Sequence, residues 1–323
     1  MKISRVPVLF LAVMFAAACC VASAQTRTQA RILSGFPPGG NVDLLARLFA
    51  EKLGEATGRT VVVENRPGAV GQLAAEVVKS AAPDGNTLMV APDATLVIRP
   101  LTMKKPPFGV LDFTPIAHTG GIDYALGVSA SLPIRDLKEF AAWARANPDK
   151  ASFGSAGAGG LTHFLGLMLA QAMGVELKHV PYKGSAPAVL DVAAGHLPAT
   201  LQPLGTMLTQ ARSGKLRVIA VSSAKRSPQE PDAPTFAELG YPSLGVDSWF
   251  GIFGPGAMAP DLAAELNSIF VQAMRTKAVR ERMRNLDLEV REMTAPEFAA
   301  TVKANTERWG PIIRSSGFSA DSE

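Results

Sequence analysis

Along the chain, short apolar runs alternate with longer stretches in which apolar positions recur every third or fourth residue. "RILSGF" (31–36), "TVVVE" (60–64) and "TLMVA" (87–91) have the length and β-branched content of buried strands. Between the first two, Leu45, Phe49 and Leu53 fall on one helical face with Leu48 beside them, which predicts a helix from about Val42 to Leu53. Asn41 is placed to be its N-cap, and Asp43 suits the positive end of its dipole. The turn "NRPGAVG", a helix to about Ser80 and the turn "PDG" (83–85) fill the interval before the third strand.

After Gly121 the alternation repeats. "YALGVSA", "ASFGSA", "VELKHV", "ATLQ" and "LRVIAVSS" (216–223) read as strands, and "IRDLKEFAAWARAN", "LTHFLGLMLAQAM" and "APAVLDVAAG" as helices. Beyond "SWFGIFGPG" (248–256) come a long helix starting near Pro260, a short strand around "LEVREM" and a helix from about Pro296 to Arg314. Repeated β-loop-α-β order is the pattern of parallel sheets with covering helices. One short strand gives the last elements no sheet of their own, so they are expected to rejoin the first unit. The expectation is an α/β protein of two lobes, 25–123 plus 247–323 and an inserted 124–246, with a ligand cleft between them.

Composition narrows the class. With 47% hydrophobic, 19% charged and 7% aromatic residues, the chain suits a folded α/β protein rather than a disordered one. Its start reads as an export signal covering 1–24: basic Lys2 and Arg5, an apolar Val8–Ala18, and Ala22-Ser23-Ala24 as the cleavage site before Gln25. A periplasmic location follows from that reading. No later run reaches ~18 uninterrupted apolar residues. Both cysteines, Cys19 and Cys20, fall inside the signal, so the mature chain is expected to have no thiol chemistry. Lipidation at Cys19 is the minor alternative, because "AAAC" lacks the larger aliphatic residue usual three positions upstream. Loss of Lys2 and Arg5 takes the net charge from +4 to +2, and the basic cluster "RTKAVRERMRN" (275–285) is broken by Glu281 on a helix. That is a solvated face rather than a nucleic-acid footprint.

Motifs for catalysis are missing. The four histidines, His118, His163, His179 and His196, have no metal-ligand spacing, and no nucleophile elbow or phosphate-loop lysine motif occurs. The near-fingerprint Gly157-Ala158-Gly159 would need its third glycine at Thr162. The reading is therefore no enzyme, no cofactor and no metal. What remains is backbone. Gly39-Gly40 and Gly157-Ala158-Gly159-Gly160 each stand immediately before a helix, where unpaired N–H groups and the dipole receive an anion and glycine lets it approach. Either turn alone is equally well a tight strand-to-helix connection; two in matching positions point to one shared anion site. Pro37 and Pro38 stiffen the first loop. Thr162 and His163 lie in the first turn of the second helix, with His163 open between a structural hydrogen bond and a ligand contact.

These residues together resemble the extracytoplasmic solute receptors of tripartite tricarboxylate transporters, the Bug or TctC-like family. The likeness runs through "FPPGGNVDLLARLFAEKLGEATGRTVVVENRPGAVG", "AAPDGNTLMVAP", "DFTPIAHTG", "SFGSAGAGGLTH", "HVPYKGSAPAVLDVAAGHLPA", "LRVIAVSSAKR", "APTFAELG" and "DSWFGIFGPG". It implies a two-lobed Venus flytrap periplasmic binding protein. Such a receptor encloses a small organic anion (a di- or tricarboxylate, an amino acid or an aromatic carboxylate) and hands it to the permease subunits, working as a monomer. Carried onto this chain, it implies contacts from Phe36, Pro38, Gly39 and Gly40 in the first lobe. In the second lobe it implies Ser155, Ala156, Gly157, Gly159, Thr162 and His163, with Tyr182 and Ala186 on the other wall and Asp191 near the pocket. Asp191 stands equally as a helix-surface carboxylate, Lys183 reads as a solvated loop lysine rather than a counter-ion, and Trp249 as packing at the crossing between lobes rather than a lid aromatic. A receptor of this shape can also serve a membrane signalling kinase; an exported enzyme would need a catalytic pair in the cleft. The chain departs from the family pattern at "QARIL", at Asn41-Val42, at Asn86 and through "APDATLVIRP" (91–100), a segment that helps shape the pocket.

Overall fold

The computed structural model describes residues 29–322 apart from Asp247 and Asp287; the export signal read at 1–24, with both cysteines, lies outside the described residues. In chain order the strands are β1 (Ala30–Ser34), β2 (Val61–Asn65), β3 (Thr87–Pro92), β4 (Phe113–Ile122), β5 (Tyr124–Ser129), β6 (Ser152–Ser155), β7 (Lys178–Pro181), β8 (Ala199–Pro203), β9 (Leu216–Val221) and β10 (Ser248–Pro255). They form two five-stranded sheets, ordered β2-β1-β3-β10-β4 and β7-β6-β8-β5-β9. In the first, β1 runs parallel to β2 and β3, and β10 runs against β3 and β4. In the second, β6 runs parallel to β7 and β8, and β5 runs against β8 and β9. Each sheet therefore has four strands in one direction and a single reversed strand in the fourth place. The two sheets share one topology.

The reversed strands follow from how the chain crosses. β4 passes into β5 with only Asp123 between them, and 222–247 lead back from β9 to β10. The crossings are stitched together: Tyr124 N–H donates to Ser222 Oγ (2.9 Å), Ser222 N–H to the Tyr124 carbonyl (2.7 Å) and Val246 N–H to the Ser222 carbonyl (3.0 Å). Strand β10 thus lies inside the first sheet, as the return of the C-terminal elements requires.

The helices longer than one turn are α1 (Asn41–Thr57), α2 (Gln72–Lys79), α3 (Leu137–Ala146), α4 (Leu161–Met173), α5 (Ser185–Ala193), α6 (Leu204–Arg212), α7 (Pro260–Arg275), α8 (Lys277–Asn285) and α9 (Ala295–Ser316). Strand β1 is covered on both faces, so Ile32 and Leu33 are both fully buried and the strand reads as a continuous apolar run. Leu45, Phe49 and Leu53 bury the predicted stripe of α1, with Phe49 edge-on to Phe270 of α7 at 5.6 Å. The main core continues from Ile32 and Phe49 to Phe153 and Phe164 of the second sheet's layer. A second, smaller cluster around Val189, Leu204 and Met207 covers the second sheet elsewhere.

Several elements differ from the sequence reading. β4 was not anticipated, because Pro115, His118 and two glycines interrupt its apolar pattern; as an edge strand it tolerates the proline. Helix α6 was likewise unread. The strand expected around "LEVREM" is a single bridge, Glu289 to Gly121. The long helix from Pro260 breaks at Thr276, whose hydroxyl caps α8 by accepting the Val279 N–H at 3.4 Å. Asn41 is not a cap: Gly40 is the N-cap of α1 and Asn41 its first residue. Among the described residues no helix is long and apolar enough to cross a membrane.

Candidate ligand-binding site

Strands β1 and β6 hold equivalent places in the two sheets, and each ends in a glycine turn that opens a helix. The turns have the same backbone. Gly39 and Gly159 are both left-handed, with φ of 86° and 69°. Gly40 and Gly160 are the N-caps of α1 and α4, at φ −81°, ψ 166° and φ −88°, ψ 171°. The left-handed amide is in both cases taken by the side chain four residues on: Gly39 N–H by Asp43 Oδ2 at 2.9 Å, Gly159 N–H by His163 Nδ1 at 3.1 Å. Amides expected to be bare on these glycines are therefore capped from within. Ala156 N–H likewise donates to Thr162 Oγ1 at 3.0 Å, and Gly157 N–H to Ser155 Oγ at 3.2 Å. The groups left over lie one step further on. Among the described residues, no protein group accepts from the amides of Gly40, Asn41 and Val42, or from those of Gly160, Leu161 and Thr162.

The caps differ in charge. Asp43 is buried, with Oδ1 accepting from Asn65 Nδ2 at 2.8 Å and Oδ2 from Arg47 Nε at 3.0 Å. Burial pushes its carboxyl up, but Arg47, the Gly39 amide and Asn65 together outweigh burial and hold it below the ordinary range. His163 is also buried and stacks on His179, ring centroids 3.8 Å apart. Burial and then the neighbouring His179 lower its pKa to about 4, and burial lowers that of His179. A neutral ring accepting at Nδ1 carries its proton on Nε2. The first turn is thus capped by a carboxylate balanced by Arg47, the second by uncharged groups.

The remaining expected residues divide around these turns. Phe36 is half-buried on the core, its carbonyl accepting from Asn65 Nδ2 at 3.2 Å; Pro38 is exposed. Strand β7 pairs Ser155 with Pro181, and the ladder runs on as Tyr182 N–H donates to Ser155 O (3.1 Å) and Gly184 N–H to Ala156 O (3.0 Å). This brings the N-terminus of α5, with exposed Ala186, beside the second turn. Tyr182 hydroxyl donates to Asp191 Oδ2 at 2.6 Å; burial and this bond push the Tyr182 pKa up to about 12. Asp191 also lies 3.6 Å from His196 Nδ1, so its oxygens orient Tyr182 and face a neighbouring side chain. Lys183 is exposed, and Trp249 is fully buried against Phe253 and Phe298, which removes it as a lid.

Three contributors escaped the sequence reading. His179 Nε2 lies 2.7 Å from Ser155 Oγ, a contact only the β6–β7 register could reveal. The pair has the separation of a nucleophile and its base, but Ser155 is fully buried and its hydroxyl is also held against the Gly157 carbonyl at 3.0 Å. Phe318, from the tail after α9, sets its ring edge-on to His163 at 5.2 Å and to Phe164 at 5.7 Å. A Cβ on Gly159 would lie 2.6 Å from that ring, so the turn and the tail fit only with glycine there. The tail is tied down by Ala320 N–H to the Thr102 carbonyl (2.8 Å) and Lys104 N–H to Asp321 Oδ2 (2.7 Å). The third is the loop 68–71, which packs on the first turn: a Cβ on Gly35 would stand 2.5 Å from the Gly71 Cα. Thr95, in a π-helical turn Ala94–Ile98, touches the same loop, and α9 packs on both that turn and α4. A continuous packed path therefore joins the two glycine turns. Among the described residues no group of three His, Cys, Asp or Glu side chains is placed to hold a metal ion.

Two sheets of one topology, joined by two crossings and carrying paired glycine turns, define a two-lobed periplasmic binding protein. Solved structures agree. The chain is 28% identical to an adipate-bound protein of Rhodopseudomonas palustris, covering 90% of this chain and 98% of that one with a TM-score of 0.80. It is equally 28% identical to the malate-bound MatC of the same organism, over 88% and 98% of the two chains with a TM-score of 0.77. Among curated relatives, BugT of Bordetella pertussis is 32% identical over 87% of each chain. The chain belongs to the tripartite tricarboxylate transporter family receptors, whose model matches residues 45–318. That family is one of periplasmic solute-binding receptors, not enzymes.

Proposed function

We propose that this receptor captures a small carboxylate-bearing solute between its lobes, at the two glycine turns, and delivers it to a tripartite permease after export through the signal at 1–24. The observation that carries the reading is the pairing of the turns: one backbone geometry, built twice at equivalent places, with helix amides beyond each cap still free to donate. Gly160, Leu161 and Thr162, with His163 Nε2–H beside them, receive a ligand carboxylate at the uncharged second turn. Gly40, Asn41 and Val42 face its other end. Closure around the ligand excludes water and strengthens each N–H to carboxylate bond. Phe36, Pro38, Gly39, Ser155, Ala156, Gly157, Gly159, Tyr182, Ala186 and Asp191 shape or support that space. The malate and adipate held by relatives support the ligand class.

The test is chemical denaturation of natively purified protein against malate, adipate, citrate, aspartate, glutamine and benzoate. A cognate ligand at ~100 times its Kd adds about 2.7 kcal/mol to unfolding. A panel in which no compound raises stability overturns the reading.

A further inference from the structure

In the loop that packs on the first glycine turn, four successive residues have positive φ: Gly68 (144°), Ala69 (47°), Val70 (58°) and Gly71 (84°). Two of these are glycines, for which such angles are ordinary. The other two are not, and of these Val70, at φ 58° and ψ 36°, carries the β-branched side chain. In this left-handed region a β-branched side chain crowds its own backbone, and such strain persists only where the surroundings impose it.

Those surroundings are specific. The Val70 carbonyl accepts from Thr95 Oγ1 at 2.8 Å, and Thr95 is fully buried within the π-helical turn Ala94–Ile98. Single π-turns occur frequently at functional sites. A Cβ on Gly71 would stand 2.8 Å from Thr95 Oγ1 and 3.3 Å from the Phe36 ring. The strained loop, the π-turn and the first glycine turn therefore meet at one place. The Val70 side chain itself is half-buried and belongs to neither core cluster, so its packing does not explain why valine stands there.

We propose that Val70 is a specificity-determining residue, whose isopropyl group narrows the ligand space beside the first glycine turn and selects against branched or bulky carboxylates. This rests on the reading of the site given above. Relaxed backbone is given up at this position for an apolar side chain that neither core cluster holds.

Two variants separate strain from side chain. V70G loses both, since glycine adopts the same angles freely; V70A loses the methyl groups but keeps a left-handed L-residue. V70G is expected to melt about 2 °C higher than V70A, which carries the strain still. Both are expected to raise the affinity for 3,3-dimethylglutarate relative to adipate by about tenfold, the scale of one or two methyl groups in a tight apolar contact. Titration calorimetry gives the ratio. If wild type binds these diacids and neither variant changes the ratio, this inference falls and the receptor reading stands. If V70G melts below V70A, the strain argument falls. A wild-type protein that binds no carboxylate of the broader panel overturns the receptor reading and this inference with it.

Discussion

The two glycine turns are built to one backbone pattern and finished with opposite chemistry. Each holds a left-handed glycine, a glycine N-cap and a cap from four residues on, yet Asp43 brings a carboxylate to the first and His163 a neutral imidazole to the second. The supports differ too. The first turn is locked from its own sheet, by Asn65 of β2 and the loop at Gly71. The second is closed from outside, by Phe318 from the far end of the chain. A helix N-terminus already balanced by its own carboxylate has less to offer a second anion than one capped by neutral groups. One residue per turn therefore sets the charge at the start of each helix, and on the proposed reading of the site this gives the two turns unequal attraction for an anion.

The largest expected effect tests the first cap. Asp43→Ala leaves the Gly39 amide without its acceptor, leaves the half-buried Asn65 amide only the Phe36 carbonyl, and strips Arg47 of its partner. A loss of about 2–4 kcal/mol in urea unfolding is expected. A loss below about 1 kcal/mol would show that the carboxylate does not hold the turn.

Acid should separate the turns. His163 has a pKa of about 4 in the folded protein against 6.5 when unfolded, so the unfolded chain takes the proton first. Stability conferred by the neutral ring is complete above 6.5, falls as pH drops towards 4, and levels off below; its size is on the order of 2–3 kcal/mol. His179, lowered as well, adds to the same slope. Asp43 acts in a lower window: its carboxyl is held below 3.8, so its contribution is lost only as pH falls beneath that value. Denaturation curves at pH 7, 5 and 4 check this, and His163→Gln should flatten the upper part of the slope. An unchanged slope in that variant would remove His163 from the account.

Phe318→Ala should act on the second turn alone. The ring is half-buried, so a loss of about 1–2 kcal/mol is expected, with faster hydrogen exchange at 159–163 and no change at 39–43. Equal changes at both turns would mean that the tail braces the whole molecule rather than one turn.

How much of this could be read beforehand depends on the range of each interaction. The stripe of Leu45, Phe49 and Leu53 and the span 161–173 are local patterns, and both stand where periodicity puts them. β4 was invisible because its burial comes from pairing with β10, some 130 residues away, rather than from an apolar run of its own. The glycine turns were legible as junctions, but not their caps: Asp43 was read as a dipole partner and its bond to Gly39 was not. His179 and Phe318 reach the second turn through strand register and the C-terminal tail, which no motif encodes. The strain at Val70 leaves no trace in composition, since "NRPGAVG" reads as an ordinary turn.

The smallest expected effect falls on Asn41, the residue that sequence pattern marks as the cap. A true N-cap asparagine costs about 1 kcal/mol when replaced by alanine, because its oxygen satisfies a helix amide. Here Gly40 occupies that place with extended angles and no side chain to accept from a helix amide, and Asn41 is already helical. Alanine is the better helix former at such a position. Asn41→Ala should therefore change unfolding by no more than about 0.3 kcal/mol in either direction, and leave ligand affinity intact because it keeps the backbone amide. Gly40→Ala has room for its Cβ, whose nearest neighbour is the Pro37 carbonyl at 3.8 Å, and should cost about 0.5–1 kcal/mol as a poorer cap. If the order of the two is reversed, the cap is Asn41 rather than Gly40, and the match between the two turns fails at its first residue.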